Sequence, residues 1–308
     1  MQTLEGSAPV FAVPVPFSSS WEIDFGALKD YLHYLEGCDV TSILVNGTNG
    51  EFSSLTFQER KDVLEACRRE FHGKIIAHVG SCSVIESCHL ARHAQEFSDA
   101  LLVLSPFYFK KVSAHGLRAF FQVILRATTA SVFLYDYPEL TQVPLSLDLV
   151  SDLVREFPAV QGLKLSGIGL DTAITFQSAF PELRIYLGSE SLALDALDRG
   201  LAGIIAGSGN PLPEFLVNLA KAMTVGNRCQ AEALHEAYRE WGRLRTQLGL
   251  DSVAIAKAGL SCRVDGFPLT TRPPLVAAGS PEMEQIRIVV SRLLEKFRLI
   301  MNRPQEDH

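Results

Sequence analysis

Residues 42–79 read SILVNGTNGEFSSLTFQERKDVLEACRREFHGKIIAHV. Ser42–Val45 is a short apolar run behind a serine, with β-branched residues at Ile43 and Val45. Gly47 and Gly50 follow. Then comes Thr56-x-x-Glu59, the spacing at which two side chains satisfy the orphan N–H groups of a helix start. A helical pattern covers 56–71, and a second apolar run, Ile75–Val79, lies beyond Gly73. Both runs are continuously apolar rather than alternating, as expected of strands covered on both faces. Strand, helix and strand in so short a span make a βα unit of a parallel sheet.

The unit recurs along the chain. Strands are expected at Phe11–Val15, Ser42–Val45, Ile75–Val79, Ala100–Leu104, Ser131–Tyr135, Gln161–Leu165, Arg184–Leu187 and Gly203–Ala206. Helical patterns occupy 24–36, 56–71, 83–97, 113–127, 147–157, 170–180, 191–199 and 211–224. Ser83-x-x-Glu86 reads as a second capping box, and Asn210 before Pro211 as a third helix start. Eight such units in about 225 residues match an α/β fold of the (β/α)₈ TIM-barrel type, with a doubly wound open sheet as the alternative. After Gly226 the strand signals stop, and 228–247, 250–261 and 281–301 read as helices around a proline-containing connection at Thr271–Pro274. The expected organisation is therefore a barrel over 1–225 and a C-terminal helical extension over 226–308.

The 308 residues are 47% hydrophobic and 20% charged, enough for a sizeable core and incompatible with a disordered chain. Acidic residues number 35 against 28 basic ones, a net charge of −7 without a basic cluster. That balance argues against nucleic acid and anionic membrane as partners. The first basic residue is Lys29, so the N-terminus lacks the charged region of a signal peptide. No run approaches the roughly 20 apolar residues of a membrane span. Six scattered cysteines without a CxxC pair read as reduced thiols in a cytoplasmic protein.

In a barrel, ligands sit at the C-terminal ends of the strands. The second strand ends in Gly47-Thr48-Asn49-Gly50-Glu51, either an anion-binding nest of N–H groups or a plain tight turn. Tyr135-Asp136-Tyr137-Pro138 ends the fifth strand, where a phenol can relay protons or simply close a turn. The sixth strand, Gln161-Gly162-Leu163-Lys164-Leu165-Ser166, carries a lysine between two leucines. Desolvation favours the neutral amine, which is the nucleophilic form that makes a Schiff base. The other reading is a lysine that snorkels out or pairs with a carboxylate. Phe107–Lys111, Gly188–Ser191 and Gly207–Asn210 end the fourth, seventh and eighth strands, with Lys110 and Lys111 read as solvated charges. Cys82, Cys88, His89 and His93 lack zinc-like spacing, so no metal site is expected. No GxSxG elbow and no Walker sequence is present.

Taken together, these segments resemble the dihydrodipicolinate synthase / N-acetylneuraminate lyase superfamily of pyruvate-dependent class I aldolases, over nearly the whole chain. Pro14–Phe17 with Asp24 is similar to its opening. Gly47–Glu51 is similar to its GTTGE-type carboxylate loop with Asn49 in place of a threonine, Tyr135–Pro138 to its YNxP segment, and Gly162–Lys164 to its GxK strand. The resemblance implies a covalent imine between Lys164 and a 2-oxo acid, with no separate cofactor. It implies carboxylate binding by Gly47, Thr48 and Asn49, and proton relay through Tyr135 and Thr48. Tyr108 would complete the relay in a neighbouring subunit of a homo-oligomer, a dimer of dimers. Ser166, Gly188, Glu190, Ile205 and Ala206 are the further substrate-binding candidates. The implied reaction is cleavage of a 2-keto-3-deoxy or 4-hydroxy-2-oxo acid to pyruvate and an aldehyde, or its reverse. 4-Hydroxy-tetrahydrodipicolinate synthesis, keto-deoxy sugar acid dehydration and a non-catalytic 2-oxo-acid-binding regulator are the alternatives. Synthases of the family carry an arginine two residues beyond the YNxP proline, where this chain has Leu140. The expected aldehyde is therefore a neutral polyhydroxy one, or an acid held by another cation such as Lys110. Asp136, where the family has asparagine, is left without an account.

Overall fold

A computed structural model describes residues 8–109 and 111–302. Residues 1–7, Lys110 and residues 303–308 lie outside the described residues.

Eight parallel strands close into a barrel in sequence order: β1 (Val10–Ala12), β2 (Ser42–Val45), β3 (Lys74–His78), β4 (Ala100–Leu104), β5 (Val132–Asp136), β6 (Val160–Leu165), β7 (Arg184–Leu187) and β8 (Gly203–Ala206). The ring is sealed by β1, which pairs with β2 through Phe11 and Ile43 and with β8 through Phe11 and Ala206. The helices that follow are α1 (Phe25–Gly37), α2 (Phe57–Glu70), α3 (Val84–Ala94), α4 (Ala114–Leu125), α5 (Pro138–Thr141), α6 (Leu147–Glu156), α7 (Leu170–Ala179), α8 (Ala193–Asp198) and α9 (Pro213–Thr224). Three more, α10 (Arg228–Leu248), α11 (Ser252–Leu260) and α12 (Ser280–Met301), come after the barrel.

Strand alternation sorts the core into two layers. Val10, Ala12, Leu44, Ile76, Leu102, Phe133 and Ile205 fill the barrel interior. Phe11, Ile43, Val45, Ile75, Leu101 and Leu134 point outward into the layer beneath the helices. This double coverage explains why the strands are apolar without alternation.

Local differences from the sequence reading have physical causes. β1 stops at Ala12 rather than Val15, ahead of Pro14 and Pro16, which have no N–H to offer a ladder. Thr56 and Glu59 make the complete capping box, whereas at Ser83 only half forms. There the Glu86 carboxylate accepts instead from the Ser81 hydroxyl, 2.7 Å away. Asn210 does not cap a helix. α9 begins at Pro213, and the Asn210 amide donates to the carbonyls of Ala12 and Gly207 at 2.8 and 2.6 Å, stitching the β8 loop to β1.

Candidate active site

On β6 the alternation that turns Leu163 and Leu165 outward turns Gly162 and Lys164 inward. Lys164 is only 5% exposed. Its register partner on β5 is Tyr135, and the ammonium nitrogen lies 4.2 Å from the centre of the Tyr135 ring. Among the described residues Lys164 makes no ion pair. It is neither snorkelling nor ion-paired, and the aromatic face of Tyr135 lies against its ammonium. The Tyr135 hydroxyl lies 3.4 Å from Thr48 Oγ1. Three candidates from three strand ends thus converge at the mouth of one cavity of about 360 Å³.

Thr48–Gly50 is a tight 3₁₀ turn. The Gly50 and Glu51 N–H groups close it on the carbonyls of Gly47 and Thr48 at 3.0 Å each, which leaves the Thr48 and Asn49 amides at its open N-terminal end. Thr48 and Asn49 line the cavity, but Gly47 does not. The Asn49 amide also donates to the Ser252 carbonyl at 3.3 Å.

Ser166, Gly188, Glu190 and Ile205 line the same cavity. A side chain at Gly188 would put its Cβ 2.0 Å from the Ser166 hydroxyl, and one at Gly207 would put it 2.4 Å from the Asn49 amide oxygen. Both glycines are therefore required by close approach. Ala206 belongs elsewhere: Ile205 faces in, so its neighbour faces the outer layer. Glu190 is buried with its carboxylate already engaged, accepting from the Gly207 and Gly209 N–H groups at 2.7 and 3.1 Å. Tyr108 is 85% exposed and touches no part of its own chain's cavity. Among Cys82, Cys88, His89 and His93, the first is half-buried and the second donates to the Val123 carbonyl, while His93 lies 2.8 Å from Glu65. Among the described residues no three His, Cys, Asp or Glu side chains group around a common point that could hold a metal ion.

The order and placement of these motifs have a counterpart in known proteins. The sequence profile of the Dihydrodipicolinate synthetase family matches residues 7–293. The chain belongs to that family. N-acetylneuraminate lyase of Danio rerio is 33% identical over 84% of this chain and 87% of its own length. The 4-hydroxy-tetrahydrodipicolinate synthase of Corynebacterium diphtheriae is 30% identical over 90% of this chain and 91% of its own. Among solved structures, YagE from E. coli K12, a dihydrodipicolinic acid synthase family protein in complex with pyruvate, superposes with a TM-score of 0.85. It is 25% identical and covers 93% of this chain and 98% of its own.

Within this member of the Dihydrodipicolinate synthetase family, several cavity residues escaped the sequence reading. Arg245 on α10 borders the cavity beside Ser208, to whose hydroxyl it donates at 3.1 Å. Its guanidinium lies 4.0 Å from Glu190. Ser252, at the start of α11, and Tyr137 complete that rim. His78 is buried against Phe52 and Tyr135, with Nδ1 2.9 Å from the Asn46 carbonyl. Burial and the nearby Arg60 hold its pKa well below the usual histidine range, so the ring is neutral. Asp136 points outward from β5 and accepts the Leu145 N–H at 3.2 Å. It thereby anchors the loop between α5 and α6, and burial pushes its carboxyl up to about 6.

A second buried lysine lies behind the turn. Lys257 on α11 meets Glu51 at 2.5 Å with both side chains fully enclosed. Burial pushes its ammonium down to about 8, against the pull of Glu51.

Proposed function

We propose that this protein is a class I aldolase of the carbon–carbon lyase kind, which cleaves a 2-keto-3-deoxy or 4-hydroxy-2-oxo acid to pyruvate and an aldehyde through an imine on Lys164. The observation that carries the reading is the buried, unpaired Lys164 amine over the Tyr135 ring, with Thr48 within reach of the Tyr135 hydroxyl.

In this reading the Lys164 amine adds to the C2 carbonyl and water leaves. The protonated imine nitrogen then draws the electron pair of the C3–C4 bond as it breaks. An enamine and an aldehyde result, and protonation at C3 followed by hydrolysis releases pyruvate and regenerates the amine. The Thr48 and Asn49 amides at the open end of their turn suit the C1 carboxylate. Tyr135, backed by Thr48, suits the proton transfers. No cofactor is called for, because the imine itself is the electron sink.

The rim of the cavity supports a choice among substrates. Leu140 is 51% exposed and does not border the cavity, whereas Arg245 does. A guanidinium there favours a leaving aldehyde with an anionic end, and the Ser189 and Ser208 hydroxyls suit its polar groups. A 4-hydroxy-2-oxo diacid is thus favoured over a sugar acid whose leaving aldehyde is neutral. The six cysteines are all free, which supports a reducing, cytoplasmic setting, and no described helix is long and apolar enough to cross a membrane. The exposed Tyr108 supports a homo-oligomer, a dimer of dimers, in which it serves a neighbouring copy.

Borohydride reduction with pyruvate, followed by peptide mass spectrometry, tests the imine. Modification at Lys164 is expected, and an adduct on another lysine would falsify the assignment. A coupled assay for pyruvate release across 2-oxo acids then separates a lyase from a binding protein that traps pyruvate without turning over.

A further inference from the structure

Two lysines are buried among the described residues, and only one of them faces the cavity. Lys257 sits on α11 with no accessible surface. Its ammonium is satisfied on three sides: the Glu51 carboxylate at 2.5 Å, the Thr270 carbonyl at 2.7 Å and the Phe17 ring at 4.3 Å. An enclosed ion pair is a costly way to join two elements if only adhesion is needed, because apolar side chains do that at least as well.

What distinguishes this pair is the residue at its other end. Glu51 has φ +53°, a left-handed conformation that a residue with a side chain avoids unless its surroundings impose it. Its N–H closes the Thr48–Gly50 turn on the Thr48 carbonyl at 3.0 Å, and its own carbonyl accepts from Ser54 at 2.8 Å. Both carboxylate oxygens are bound. One takes the Lys257 ammonium, and the other the Arg272 N–H at 2.9 Å. The same turn is tied to α11 a second time, through the Asn49 amide and the Ser252 carbonyl. The backbone that presents Thr48 to Tyr135 is therefore held from behind by a helix beyond the barrel.

We propose that Lys257 is a positioning residue for the 2-oxo acid: through Glu51 it fixes the Thr48–Glu51 turn, and so the site that receives the substrate's C1 carboxylate. The inference rests on the reading of that turn as the carboxylate site. It assigns α11 a part in substrate binding although its lysine never touches the substrate.

The test compares the wild type with Lys257→Met and with the double variant Lys257→Met/Glu51→Gln. Each is followed by thermal unfolding and by the pyruvate concentration dependence of borohydride trapping at Lys164. Lys257→Met leaves Glu51 buried and unpaired, so it should lower the Tm and raise the pyruvate concentration needed for half-maximal trapping at least tenfold. The double variant removes the orphaned charge and should regain much of the Tm, while trapping stays impaired because the ion pair that fixes the turn is gone. Trapping that recovers together with the Tm would mean that the pair serves stability alone, and would overturn the proposal. The same holds if folded Lys257→Met traps pyruvate like the wild type. Should Lys257→Met fail to fold, the double variant alone decides between these outcomes. A wild type that forms no adduct with any 2-oxo acid would instead sink the aldolase reading itself.

Discussion

Tyr135 and Lys164 are register partners on adjacent strands, and the lysine nitrogen stands 4.2 Å above the phenol ring. The ring faces the amine while the hydroxyl reaches toward Thr48, so binding and proton transfer are separable within one side chain. Tyr135→Phe keeps the ring and deletes the proton. It should lower kcat by about 10²- to 10⁴-fold, the usual range for a lost general acid–base group, while Lys164 is still trapped by borohydride, more slowly. Lys164→Ala should abolish both. Steady-state kinetics beside mass spectrometry distinguishes the two.

Tyr108 makes an aromatic contact with Phe109 at 6.4 Å and none with the cavity of its own chain. If it works in a neighbouring copy, Tyr108→Phe should cut turnover and leave pyruvate trapping largely unchanged. Sedimentation velocity at working concentration should show an oligomer. A fully active monomer would remove this idea.

Arg245 offers the distal cation that position 140 lacks. Its side chain is 41% exposed, so its contribution is screened to about 1 kcal/mol, roughly fivefold in kcat/KM. Arg245→Ala should impose that loss on 4-hydroxy-2-oxoglutarate and spare 2-keto-3-deoxygluconate. Equal losses for both cleavable acids would show that Arg245 does not sense the distal charge.

Asp136 carries a stability cost that depends on pH. Its carboxyl titrates at about 6 in the folded chain against 3.8 when unfolded. The folded state therefore holds the proton more tightly, and stability falls as pH rises from about 4 to about 6, by on the order of 3 kcal/mol in all. Asparagine keeps an oxygen to accept the Leu145 N–H and has no charge to bury. Asp136→Asn should raise the Tm at pH 7.5 by a few degrees and leave it nearly unchanged at pH 4. A uniform shift at both pH values would point to packing rather than to the proton.

Four strands, β2, β4, β7 and β8, begin and end where the sequence reading puts them, because apolar runs bounded by glycine or polar residues admit few other limits. Lys164 was legible for a related reason: an ammonium between leucines on a short strand demands an explanation. The same signal stands at Lys257, a lone lysine in the apolar run Val253–Leu260. Only the tertiary structure tells the two apart, since Glu51 is far from Lys257 in sequence and nothing local announces it. Arg245 was invisible for the opposite reason. It is one of several arginines on an amphipathic helix, where charge is the ordinary condition. Asn210 misled because an asparagine before a proline fits a cap as well as it fits a stitch between two strand ends.

Closure of the barrel through β1 has a consequence for how the chain is made. A strand of three residues near the N-terminus has no second neighbour until Gly203–Ala206 has been synthesised and folded. Until then β1 and β7 present unpaired edges to other chains, and the last seam joins parts of the sequence that are farthest apart within the barrel. Nascent chains halted before β8 should therefore be sticky rather than merely incomplete. Deleting residues through Ala12 should open the finished ring at two seams at once and leave a product that aggregates by edge pairing.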